Sequence, residues 1–361
     1  MVKGTYMKKI LFVTANGIED SSYGGPKGSI RNYKCLQKFG NVDVYWIKRK
    51  SSIKSFFSIL QGFFPPIDKE DIKALKQALE KPYDLVFFDG SIYGKLIDVV
   101  KSCKTVVFYH NCEFDFNEVR FGAKPSLKKF VYKYLIKKEE QHITKTANYR
   151  ITFSERDADR ISGLYGKKVE SIIPLGIEDK YQETELIEAE KTCLLLGAIC
   201  EANIEGYGWF VNNVSPKLNC TTIIAGKGFE KYRELWESDK VIVKGYVDNL
   251  SDEYARATCV AIPLFSGGGM KVKTVEALMF GKTIFGTSEA FSGFDFNLKD
   301  VAYLCNDEIE FVDSINTYLS NKQETSFNLK ARQVYKDKYS IDSAEDEFFR
   351  MICNLGLEEK Q

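Results

Sequence analysis

Hydrophobic positions along the chain alternate between two rhythms. Continuous apolar runs of about four to six residues, the length of strands buried on both faces, are separated by stretches in which apolar residues recur every three or four positions. In the first half, runs at 10–14, 42–47, 85–88, 105–109, 149–153 and 171–174 predict strands, while 29–39, 71–80 and 126–145 predict helices. Ser154, just before a further helical segment, has the chemistry of an N-cap. In the second half, strands are predicted at 192–196, 221–225, 241–243, 260–265 and 283–287. Helices are predicted there at 251–257, 272–279, 308–320 and 343–354. Strand, helix, strand in repetition is the order of an α/β protein with parallel sheets. Segment 175–191 breaks both rhythms, being polar, acidic and aperiodic, and reads as a linker between halves at 1–174 and 192–342. Residues 1–6 precede a second methionine, Met7, and are left out of the fold reading.

One stretch, 259–293, concentrates the candidate chemistry. An apolar run is followed by Gly267, Gly268 and Gly269, then by Val272, Val275, Leu278 and Met279 at helical spacing, then by Gly281 where that helix should stop. Glycines allow a sharp turn and a close approach to a ligand. The free amides of the following helix, with its dipole, favour an anion there. Lys271 and Lys273 place two cations in the first turn, where they oppose the dipole by roughly 0.3–1 kcal/mol each unless an anion is present. Glu276 is three residues after Lys273 and shares its face. A tight turn with solvated lysines and a surface Lys273–Glu276 pair would explain the spacing. The flanking strands together with both lysines favour a phosphate site.

The first half offers less specific signals. Gly24 and Gly25 turn the loop after the first strand, but GxGxxG is absent and no dinucleotide fingerprint is present. His110 ends a predicted strand and opens HNCEFD, with Asn111, Glu113 and Asp115; Asp89 ends another. Ligands of open α/β sheets bind beyond such ends. Residues 48–67 set Lys48, Arg49, Lys50 and Lys54 before Ile53, Phe56, Phe57, Leu60, Phe63 and Phe64, which share one face of a helix. The first expectation is that this face packs on the N-terminal sheet. The second is that it lies on an anionic membrane surface. Segment 126–145 repeats the pattern, with Leu127, Phe130, Val131, Tyr134 and Leu135 as the stripe and Lys128, Lys129, Lys133, Lys137 and Lys138 around it.

Composition narrows the field. A chain of 361 residues accommodates two domains. A net charge of +1 gives no global field for nucleic acid. Nine cysteines without a CxxC pair, and no leader-like run, suggest reduced thiols in a cytoplasmic protein. With two histidines and no ligand cluster, no metal site is expected.

SGGGMKVKTVEALMFGKTIFGT resembles the nucleotide-sugar site of GT-B glycosyltransferases, two-Rossmann-domain enzymes, and is most similar to the retaining family 4, the "group 1" type. The resemblance implies two Rossmann-like domains facing a central cleft. The last helix, in 343–361, would pack back on the first domain, with Phe348, Phe349 and Met351 as anchors. It implies donor binding by Gly267, Gly268, Gly269, Met270, Lys271, Lys273 and Glu276, with Glu276 on the ribose and Tyr246 and Val247 near the base. It implies an acceptor and sugar pocket of Gly24, Gly25, Asp89, His110, Asn111 and Glu113. His110, Lys271 and Glu276 would be the catalytic set. The donor would be a UDP-sugar, used without a metal, and the acceptor a glycan or lipid-linked glycan in bacterial surface polysaccharide or glycolipid assembly. Two departures stand out. A glutamate usual eight residues before the ribose one is Gly268, and the basic pair usual after Gly197 is replaced by Ala202, Asn203 and Glu205. Lys271 and Lys273 are therefore expected to carry more of the diphosphate charge. The same departures leave room for a catalytically silent GT-B subunit that partners another transferase. A nucleotide-sugar epimerase is the third reading. The expected location is cytoplasmic, with peripheral membrane contact through 48–67 and 126–145.

Overall fold

A computed structural model describes residues 8–18, 27–48, 50–64, 67–121, 126–182, 191–321 and 326–358. The chain divides into two compact units, residues 1–175 with 344–361, and residues 176–343. Gly24 and Gly25, residues 183–190 of the segment 175–191, and residues 1–6 lie outside the described residues.

The first unit is built on β1 (Lys8–Thr14), β2 (Gly40–Trp46), β3 (Leu85–Phe88), β4 (Lys104–Tyr109), β5 (Tyr149–Thr152) and β6 (Ser171–Ile172). They form one sheet in the order β2-β1-β3-β4-β5-β6, every neighbouring pair parallel. Helices cover both faces, so β3 is buried at every position and reads as an unbroken apolar run. Ser154 caps Glu155–Tyr165, its side chain accepting from the Asp157 amide at 3.2 Å. The last helix, Ile341–Asn354, brings Phe348 and Met351, both fully buried, into this unit; Phe349 stays half exposed beside Phe39. Buried Arg31 lies among the rings of Phe108, Phe153 and Phe348, at 5.2, 5.4 and 5.4 Å. Burial lowers its pKa to about 10.

The second unit contains β7 (Thr192–Leu196), β8 (Thr221–Ala225), β9 (Val241–Gly245), β10 (Cys259–Ile262), β11 (Ile284–Gly286) and β12 (Ala302–Leu304). The order is β12-β11-β10-β7-β8-β9, again all parallel. This is the doubly wound order of a Rossmann sheet, with its reversal between β7 and β10. Helix Glu201–Asn213 has no strong sequence signal, since Gly206 and Gly208 lower its propensity. It forms because Tyr207, Phe210 and Val211 are buried in the core of this unit.

The expectation that 48–67 packs as one amphipathic helix on the sheet is corrected. The helix is Ser52–Leu60, and the chain turns at Gly62 with φ of 74°. Phe63 and Phe64, beyond the helix, are the buried aromatics, while Ile53, Phe56, Phe57 and Leu60 are 72, 58, 55 and 67% exposed.

Candidate active site

In the second unit the strand reversal leaves the carboxyl ends of β7 and β10 side by side. From β10 the chain enters the glycine turn and then the helix Val272–Met279, with Lys271 at its N-cap. Gly269 has φ of 65°, a left-handed conformation that favours glycine, and this bends the chain into the helix. Gly267 and Gly268 are exposed, Gly269 is buried and Met270 is half-buried. The turn is therefore open on its glycine side, with the helix amides behind it.

The two lysines are not solvated. Lys271 is buried, and its Nζ donates to the Gly269 carbonyl at 2.8 Å and to Glu289 Oε1 at 2.6 Å. Lys273 Nζ donates to Asn203 Oδ1 at 2.6 Å and to Tyr207 OH at 2.9 Å. Although the Lys273 side chain as a whole is partly exposed, its ammonium is enclosed. Burial pushes its pKa down to about 8, against the opposing pull of Cys200 and Glu276. Glu276 is buried on the next turn of the helix, with Tyr254 OH donating to its Oε2 at 3.5 Å. The surface Lys273–Glu276 pair that spacing allowed is thus replaced by two separate anchorages. Asn203, which stands where the family pattern has basic residues, holds Lys273. Tyr246 and Val247 follow β9, the outermost strand, and Tyr246 is 59% exposed.

In the first unit, β1 and β3 end at Thr14 and just before Asp89, where the strand order reverses. Asp89 is fully buried and accepts from Thr14 Oγ1 at 3.0 Å, Asn32 Nδ2 at 2.8 Å and His110 Nε2 at 2.8 Å. Burial alone would raise its pKa; the His110 charge and hydrogen bonds from His110, Ser29 and Asn32 outweigh that and hold it below the ordinary value. An ionised carboxylate only accepts, so His110 Nε2 carries the proton shared with it. Nδ1 faces the first turn of the helix Lys27–Gln37: a Cβ at Gly28 would stand 3.0 Å from it. That backbone approach is open only to glycine. Ser29 Oγ lies 3.5 Å from Nε2 and accepts from Asn16 Nδ2 at 2.9 Å.

Asn111 and Glu113 are half-buried, and Glu113 opens the helix Glu113–Phe121. The Glu113 and Phe114 amides donate to fully buried Glu140 at 2.9 and 3.1 Å. Glu140 also accepts from Ser91 Oγ at 2.7 Å and Tyr165 OH at 2.8 Å. Burial raises its pKa, with these four donors opposing. One carboxylate therefore ties together the segments that follow Asp89 and His110. Asp115 makes a two-point pair with Arg160, at 2.6 and 2.8 Å. Thr14, Asn16, Ser29, Asn32, Tyr207, Tyr254 and Glu289 were not singled out from the sequence, and Asn203 was noted there only as standing in place of a basic residue.

Two doubly wound units, the second with a glycine turn at its strand reversal, define a class of fold. Residues 190–321 match the sequence family described as Glycosyl transferases group 1. The chain has the fold of solved GT-B glycosyltransferases. Among the solved structures is sucrose-phosphate synthase from Thermosynechococcus elongatus, 13% identical, TM-score 0.72, covering 97% of this chain and 99% of that one. HepE of Anabaena in complex with UDP and glucose is 14% identical, TM-score 0.67, covering 96% and 100%. An uncharacterized 44.6 kDa protein in the cps region of Klebsiella pneumoniae is 25% identical over 310 residues, 79% of each chain.

Proposed function

We propose that the chain moves a sugar from a UDP-sugar to an acceptor hydroxyl, with retention at the anomeric carbon, in assembly of a bacterial surface polysaccharide or glycolipid. The observation that carries this is the open glycine turn backed by Lys271, Lys273 and Glu276. Departure of the nucleotide develops charge on a diphosphate oxygen, and preorganised amides and ammoniums at that point stabilise it. Gly267, Gly268, Gly269, Met270, Lys271 and Lys273 receive the diphosphate, Glu276 the ribose, and Tyr246 and Val247 the base. In the first unit His110, oriented by Asp89, is assigned with Asn111 and Glu113 to the acceptor and sugar pocket; Gly24 and Gly25, implied for the same pocket by the resemblance, lie outside the described residues. His110 acts here by positioning. UDP and glucose in the Anabaena structure, and the cps region of the Klebsiella relative, support the donor and the pathway class.

A thermal-shift comparison of UDP, GDP, ADP and CMP tests the donor. UDP at 100 times its Kd should stabilise by about 2.7 kcal/mol, and Lys271→Ala should abolish the shift. No shift with any nucleotide would overturn the reading. The anomeric configuration of the product, read by NMR, decides retention.

The same proposal places the protein peripherally on an anionic membrane. Among the described residues no helix is long and apolar enough to cross one. The helix Ser52–Leu60 presents Ile53, Phe56, Phe57 and Leu60, and the helix Leu127–Thr146 presents Leu127, Phe130 and Tyr134 at 80, 70 and 61% exposure. The two elements meet beneath, where Ile59, Phe64, Val131, Tyr132 and Leu135 pack together. Lysines flank the exposed apolar side chains. Exposed aromatic and basic groups on neighbouring helices suit the headgroup layer of anionic lipid.

A further inference from the structure

Glu289 belongs to none of the donor contacts considered above, yet its carboxylate reaches the glycine turn. Oε1 accepts from Lys271 Nζ at 2.6 Å, and a Cβ at Gly267 would stand 3.3 Å from the same oxygen. The absence of a side chain at 267 leaves that volume to the carboxylate. The turn carrying Glu289 is fixed from several directions. Thr287 Oγ1 donates to the Leu264 carbonyl. Thr274 Oγ1 donates to the Ala290 carbonyl at 2.9 Å, and the Ser288 amide to Asn306 Oδ1 at 2.9 Å. The fold therefore delivers the carboxylate; it is not the chance reach of a loose surface loop. The two lysines are also treated unequally. Lys273 faces two neutral acceptors, Asn203 and Tyr207, whereas Lys271 faces a carboxylate. A helix N-terminus suited to an anion already has one beside it.

We propose that Glu289 is the internal anion of the glycine turn: Lys271 passes from Glu289 to the diphosphate when the donor binds, and returns when the nucleoside diphosphate leaves. This rests on the donor-site reading above. While the turn is empty, Glu289 holds Lys271 in place. Once a diphosphate takes Lys271, the carboxylate loses its partner and faces a like charge. Glu289 thus lowers affinity for the diphosphate and speeds its release. The effect needs phosphate opposite the carboxylate, so it is confined to nucleotides and spares nucleosides.

The test is calorimetric titration of the full chain, as wild type, Glu289→Gln and Glu289→Ala, with UDP, GDP, uridine and guanosine. Glutamine keeps the shape and an accepting oxygen but removes the charge. Glu289→Gln is expected to bind the preferred nucleoside diphosphate about tenfold more tightly than wild type, with nucleoside affinity unchanged. If the glutamine variant is poorly folded by its melting curve, the same ratio is read from Glu289→Ala. Unchanged or weaker diphosphate binding in a folded variant overturns the proposal, as does an equal gain for the nucleoside. Failure of wild type to bind any nucleoside diphosphate overturns the donor-site reading and this inference with it. Binding by wild type with no gain in either variant overturns this inference alone.

Discussion

A carboxylate buried at position 89 survives as a charge because four polar groups are arranged around it. Thr14, Asn32 and His110 donate to it, and Ser29 adds to its stabilisation. The sign of its pH dependence follows. The folded pKa is depressed below the unfolded value of about 4, so Asp89 contributes stability that is present above that value. The contribution is lost as pH falls through the folded pKa. Asp89→Asn should therefore lower stability at pH 7 and flatten the acid limb of a urea-unfolding series below about pH 4. Lys273 works in the opposite sense. Burial holds its pKa at about 8, and a diphosphate bound beside it should raise that value. Binding should take up a proton above pH 8, and the Kd should rise about tenfold per pH unit between 8 and the pKa of the complex. Calorimetry in buffers of different ionisation enthalpy measures that uptake, and Lys273→Met should remove it. His110, Lys271, Lys273 and Glu276 were legible because each sits at a strand end or a helix start. Apart from Asp89, their partners, and the groups that hold Asp89 itself, were not. Asn203 is 70 residues from Lys273, and Asp89 is 75 from Thr14. Such pairings exist only after strands are ordered into sheets.

At the scale of elements, periodicity located most strands and helices but not which stripe was buried. The stripe in the helix Ser52–Leu60 reads like a core face, and it is exposed. Phe63 and Phe64 escape it because the chain turns at Gly62 and carries them inward. Substituting serine for Phe56, Phe57 and Phe130 together should shift stability by no more than about 0.5 kcal/mol per site. It should strongly reduce sedimentation with anionic vesicles. Equal sedimentation of wild type and variant would refute membrane contact through this face. Phe64→Ala, by contrast, should cost about 3 kcal/mol in urea unfolding, since that ring is buried against Tyr132. Ser154→Ala should cost about 1 kcal/mol through the lost cap.

At the scale of the whole molecule, each unit is a parallel sheet closed on both faces by helices, and the first unit completes its cover with the end of the chain. Phe348 packs against Phe87 and beside Arg31, so removing 344–361 would uncover a buried guanidinium and core aromatics. A chain ending at 343 should lose the thermal transition of the first unit while the second keeps its UDP-induced shift. Loss of both would show that the second unit depends on the first. The sequence by itself determined the alternation of strands and helices, the glycine turn with its lysines, and the resemblance to a glycosyltransferase donor site. These are local, since a run of apolar residues or a glycine triplet restricts the backbone wherever the chain goes. Only tertiary structure decided that Lys271 meets Glu289, that Asn203 and Tyr207 hold Lys273, that Glu140 joins two loops, and which apolar stripe stays outside. Those outcomes depend on strand order and on helix ends, which bring together residues that no local spacing connects.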